Sequence, residues 1–265
     1  MSPEDVPALL GLLCIAALVT SLMAWQMFSL TPLACGFGPR LVLSTTLVGC
    51  QFALIIALTF YAAQEVRESV GYRILFVAAA ALEIELVSRG MTVLGLGPLD
   101  DGLERNNPAA RLATIGVWVA CTLGAIGSNL GEGDETYTTL IPMMLDAIGL
   151  LAMGLLAAIA TRGFMAVVVE HNRHAGVRLG AFFIAAGLPL AHAASGDWVS
   201  LEDTLGDFGM ACAPEAMLMG VFLIVERRIS RTPKQGARTR SFWSEAALPA
   251  TAYVVLPLAW WRLAR

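Results

Sequence analysis

Lysine occurs once in this chain of 265 residues, at Lys234, and histidine three times. Asp, Glu, Lys and Arg together make up 14% of the residues, against 57% hydrophobic. Soluble domains carry roughly a quarter charged residues, so this poverty of charge excludes an ordinary water-soluble globule. The five cysteines (Cys14, Cys35, Cys50, Cys121, Cys212) form no CxxC pair and lie in or beside apolar runs. That excludes a disulfide framework or a zinc ribbon. The glycine-rich phosphate loop and the Gly-x-Ser-x-Gly elbow are both missing, so no enzyme signature or cofactor is expected. Lys234 lies in a polar stretch, which excludes a retinal Schiff base. The net charge of -4 argues against nucleic acid as a partner.

What the chain has instead is apolar length. Mean hydropathy is +0.70, and runs of about twenty apolar residues, the length that crosses a bilayer as helix, tile the sequence. They predict spans at 7–29, 41–63, 73–97, 112–130, 140–161, 177–195, 205–226 and 246–262. The expected fold is an all-α integral membrane bundle of seven or eight helices with the lipid bilayer as partner. The last span is short and holds Pro249 and Pro257. The runs are rich in Ala and Leu and do not alternate, which rules against a β-barrel. The acidic start, Met1-Ser2-Pro3-Glu4-Asp5, lacks the Lys or Arg of a secretory signal, so the first run is expected to be retained as a helix.

The polar breaks alternate in sign. Arg162, Arg173 and Arg178 follow the fifth span, and Arg227, Arg228, Arg231, Lys234, Arg238 and Arg240 follow the seventh. Glu132, Asp134 and Glu135 follow the fourth, and Asp197, Glu202, Asp203 and Asp207 follow or open the next outer turn. Basic loops stay in the cytoplasm, which places the N-terminus outside. The acidic loops read either as a mouth that concentrates cations or as solvated loops free of Lys and Arg.

Two stretches open alike. One opens with Glu104-Arg105-Asn106-Asn107-Pro108-Ala109-Ala110 and the other with Glu170-His171-Asn172-Arg173-His174-Ala175-Gly176, and with Asn107 placed on Asn172, Ala110 meets Ala175. Gly131 then falls on Gly196 and Glu132 on Asp197. This predicts a parallel tandem repeat of two-helix hairpins about an axis near the membrane normal. The regions are 1–101 with three spans, 102–165 and 166–230 as the repeats, and 231–265 as a basic linker with the last apolar segment. Asn at these helix starts is a natural cap.

The second copy, Glu170-His171-Asn172 through Ala175-Gly176, Ala194-Ser195-Gly196-Asp197 and on to Glu226-Arg227-Arg228, resembles the bacterial membrane family catalogued as domain of unknown function 350. That family often carries tandem two-helix repeats. The resemblance covers about 102–230 and implies a bacterial inner-membrane protein, loosely associated with envelope stress or with polyamine and ion traffic. It implies no activity.

Ionisable groups at membrane depth are the candidate site. Each costs roughly 2.5–3.5 kcal/mol at a helix centre and therefore faces a bundle interior or a cavity. The third span carries Glu83, Glu85 and Arg89. Glu85 and Arg89 have the spacing of an intrahelical pair. Glu215, beside Pro214, and Asp146 are candidates for a cation or proton path. His192, after Pro189, reads as either a pH-responsive group or a satisfied packing residue. His171 and His174 are too few for a metal site, so none is expected. The function expected is passage of a cation or small amine by a bundle that oligomerises. The alternative is a non-catalytic scaffold in an envelope-stress system, with the basic linker recruiting a soluble partner.

Overall fold

The structure is a computed structural model. It describes residues 37–131, 136–196, 201–231 and 242–263. The first expected span lies outside them, as do most of the acidic turns and most of the basic linker. The described residues are all-helical. Helices α1 (Phe37–Phe60), α2 (Gln64–Glu68) and α3 (Val70–Val93) are followed by a π-helical turn, Pro98–Glu104. Next come α4 (Pro108–Ser128), α5 (Thr136–Ala160), α6 (Gly163–Val168) and α7 (Arg173–Ala194). The chain continues through α8 (Leu201–Arg231), a second π-helical turn, Trp243–Ala247, and α9 (Leu248–Leu263).

Among the described residues, five stretches are long and apolar enough to cross a membrane: Gly38–Phe60, Pro108–Ser128, Thr139–Ala160, Arg173–Ala194 and Phe208–Ile229. Helix α3 has comparable length, 24 residues, but Glu83, Glu85 and Arg89 interrupt its apolar character. Helix α9 is shorter still, at 16 residues.

Most expected spans start a few residues later than the helices they mark. Hydropathy sees only apolar residues, whereas these helices start at polar caps. Ser69 accepts from the Tyr72 amide, Asn107 from those of Ala109 and Ala110, and Asn172 from those of His174 and Ala175. Each satisfies amides that have no partner inside their helix. Arg178, grouped by its charge with the basic loop after the fifth span, is placed differently by the structure. Arg178 lies in the second turn of α7 and is 1% exposed.

Helices α4 and α7 are the centre. Two-thirds (67%) of each apolar window is buried, against 28%, 33% and 31% for α1, α5 and α8. Their contacts run in one order: Ala109 against Gly176, Leu112 and Gly116 against Gly180, Ala120 against Gly187, and Gly127 against Ala191. The two helices are therefore parallel. A Cβ on Gly116 would collide with the Gly180 backbone, so small residues set the close approach. Around this pair the core contains Trp118, Phe182, Phe183, Phe222 and Tyr253. A second cluster, with Leu54, Leu58, Leu75 and Phe76, joins α1 to α3. On α1 and α5 the other face leaves Phe52, Ile55, Ile148 and Ile159 exposed, as a lipid-facing surface requires.

The entrances to α4 and α7 share their local geometry. Asn106 and His171 both take a positive φ, 47° and 50°. The next amide, of Asn107 or Asn172, bonds back to the carbonyl of Asp101 or Ala166 at 3.0 and 2.9 Å. A short helical turn precedes each of these entrances, and a long helix precedes that turn, α3 in one case and α5 in the other. At the far ends Gly131 and Gly196 occupy the first bend after α4 and α7.

Candidate functional site

Three carboxyl side chains enter the bundle from three helices. Glu83 on α3 is 6% exposed, Asp146 on α5 is 0% and Glu215 on α8 is 8%. Helix α3 packs against both α4 and α5, and α8 packs against α5 and α7, so the acids of α3 and α8 both meet Asp146 on α5. Their register is held by neighbours: the Trp118 ring nitrogen on α4 donates to the Ser88 hydroxyl on α3 at 2.9 Å, both residues being buried. The Asp146 carboxyl sits against Gly124, where an added Cβ would collide with it.

The cluster is chemically one-sided. The Glu83 and Asp146 carboxyls lie within hydrogen-bonding range of each other, and Asp146 is also in electrostatic contact with Glu215. Cys121, three residues before Gly124 on α4, feels both Glu83 and Asp146, and Cys50 on α1 adjoins Cys121. These neighbours are all acids. Among the described residues, no donor reaches either oxygen of Glu83, Asp146 or Glu215. Buried polar groups are normally paired, and an unpaired one costs on the order of 1–3 kcal/mol, more when charged. The described residues hold no group of three or more His, Cys, Asp or Glu side chains arranged to bind a metal ion.

Comparison with known proteins finds no matching family model, no similar curated protein and no similar solved structure.

The structure sorts the expected site residues. It brings Glu215 and Asp146 together and adds Glu83, which the sequence shows only as one of three charges on a span. Glu85 and Arg89 form their pair on another face of α3, with Nη2 to Oε1 at 2.6 Å and the Arg89 side chain 67% exposed. His192 is exposed near the end of α7, so it is not a buried packing residue. Asn107 and Asn172 act as caps, and the Asn107 amide also donates to the Val167 carbonyl at 2.7 Å.

A second polar cluster went unforeseen. Arg178 donates from Nε and Nη2 to Glu226 on α8 at 2.6 and 3.1 Å, and from Nη1 to the Glu245 carbonyl at 2.6 Å. His174 Nδ1 lies 3.3 Å from the Glu245 carboxylate, and its ring meets Phe242 edge-on. One buried guanidinium thus ties together α7, α8 and the turn before α9. The signal was present in the sequence: Arg178 falls on the sixth residue of a helix capped by Asn172.

Proposed function

We propose that this protein passes a cation across a membrane through the Glu83, Asp146 and Glu215 cluster. The observation that carries the reading is the set of six buried carboxyl oxygens with no donor among the described residues. Three acids without a base are costly inside an apolar bundle, and they stay only where a positively charged species completes them. Pro214, in the helix interior beside Glu215, withholds one amide from the α8 ladder and marks a place where that helix can bend.

The setting is a multi-pass protein of the bacterial inner membrane, with basic segments inside, the N-terminus outside, and copies that associate into an oligomer. The matching entrances of α4 and α7, spaced by 65 residues from Asn107 to Asn172, support a parallel internal repeat. Kinship with domain of unknown function 350 rests on the residue resemblance alone. A second reading, recruitment of a soluble partner by the basic segment after α8, is favoured by the exposure of Arg227 and Arg228 where that segment begins.

The test is flux into proteoliposomes of purified protein, comparing potassium, protons and spermidine, beside Glu215→Gln. Loss of flux in a folded variant supports passage through the cluster. Wild-type protein that moves none of the three contradicts it, and leaves recovery of a partner through the basic segment as the measurement that favours recruitment.

A further inference from the structure

We infer that the species held by the cluster is a proton, shared between Glu83 and Asp146, and not a metal cation or an amine. The inference rests on the cation reading above and narrows it.

Space decides the matter first. Every carboxyl oxygen of Glu83, Asp146 and Glu215 is buried. They are closed off from bulk solvent. A metal ion needs its own shell of oxygens at about 2 Å or more, and no such arrangement of side chains exists among the described residues. An ammonium group is larger again. A proton occupies no volume of its own.

Hydrogen bonding decides it second. Two carboxylates within bonding range of each other offer acceptors only. One proton on either converts that group into a donor and gives its neighbour the bond both lack. The groups acting on the pair from adjoining elements are Glu215 on α8, Cys121 on α4 and, beyond Cys121, Cys50 on α1. None is basic, so no side chain found acting on the pair substitutes for the proton. Like-charged carboxyls that share a site generally hold one proton between them. Transfer within the pair breaks one O–H bond and forms another, each electron pair staying on its oxygen, with no redox change.

Gly124 makes this geometry possible. Its missing side chain leaves the place that the Asp146 carboxyl fills, which makes Gly124 a positioning residue for the pair.

The experiment is infrared difference spectroscopy of reconstituted protein in water and heavy water, following the carbonyl stretch of a protonated carboxylic acid. Wild-type protein near neutral pH is expected to show a buried carboxylic-acid band that shifts in heavy water. Glu83→Gln and Asp146→Asn, which are isosteric and bring an amide donor, are each expected to weaken it, the buried Glu215 carboxyl keeping its own share, while Glu85→Gln leaves it. Wild-type protein without the band overturns the inference whether or not any variant folds. A band indifferent to both substitutions overturns it too. A band with this behaviour and no flux upholds the shared proton and removes the transport reading. Potassium flux through wild type without the band does the reverse.

Discussion

The Asp146 carboxyl lies on the backbone of Gly124, in the space that a side chain on α4 would occupy. One helix has given up a side chain so that a neighbouring helix can seat an acid in the bundle interior. Gly124→Ala forces the two apart. The expected cost is about 1–3 kcal/mol, the range for overpacking a filled core. It is read as a lower unfolding midpoint in detergent, together with a weaker buried carboxylic-acid band. An unchanged midpoint and band would mean that Asp146 finds an equivalent position elsewhere.

The Arg178–Glu226 pair predicts asymmetry between breaking and replacing. Arg178→Ala leaves Glu226, 3% exposed, buried and unpaired, at a cost of about 3–5 kcal/mol. The joint replacement Arg178→Met with Glu226→Leu is expected to recover most of that loss, because a hydrophobic pair needs no compensation. Thermal unfolding of both variants checks this. Equal destabilisation of single and double variants would count against it.

The two Asn caps are expected to differ. Asn172→Ala removes the cap of α7 and costs about 1 kcal/mol. Asn107→Ala also orphans the Val167 carbonyl, adding about 0.5–1.5 kcal/mol. Denaturant titration of the two variants gives the comparison, with Asn107→Ala the less stable.

The parallel course of α4 and α7 predicts sidedness. Single cysteines at Arg105→Cys and Arg173→Cys are expected to react with an impermeant thiol reagent from the cytoplasmic face. Those at Leu130→Cys and Gly196→Cys should react from the outer face. Labelling of 105 and 173 from opposite faces would break the parallel arrangement.

How far the sequence led is clearest at particular residues. Apolar length marked the long helices, and the Asn107–Asn172 alignment marked two entrances with matching backbone geometry. Hydropathy could not see polar caps and so started most helices late, while the grouping of basic residues assigned Arg178 to a loop although it lies inside the expected span 177–195. Hydropathy also passed over the short helical segments, such as Gln64–Glu68 and Gly163–Val168, which are too short to register as spans. Glu83 was visible but not distinguishable, because periodicity on a span with three charges does not say which face turns inward. The pairing rule held the clue: Glu85 takes Arg89, and Glu83 is left over. Which acids from distant helices meet is a tertiary fact. Nothing in the spacing of 83, 146 and 215 encodes it.

The most direct test of the carboxyl cluster as one unit is proton flux in proteoliposomes under an imposed pH gradient. It compares wild type, Glu83→Gln, Glu215→Gln, the double variant and Glu85→Gln. The account predicts that Glu83→Gln and Glu215→Gln each lower the flux about tenfold or more, a barrier change of about 1.4 kcal/mol. The double variant should be no slower than the worse single, since groups acting as a unit are not additive. Glu85→Gln, paired on the outer face, should leave the flux unchanged. Flux that survives Glu83→Gln, or that falls with Glu85→Gln as much as with Glu83→Gln, would contradict the account.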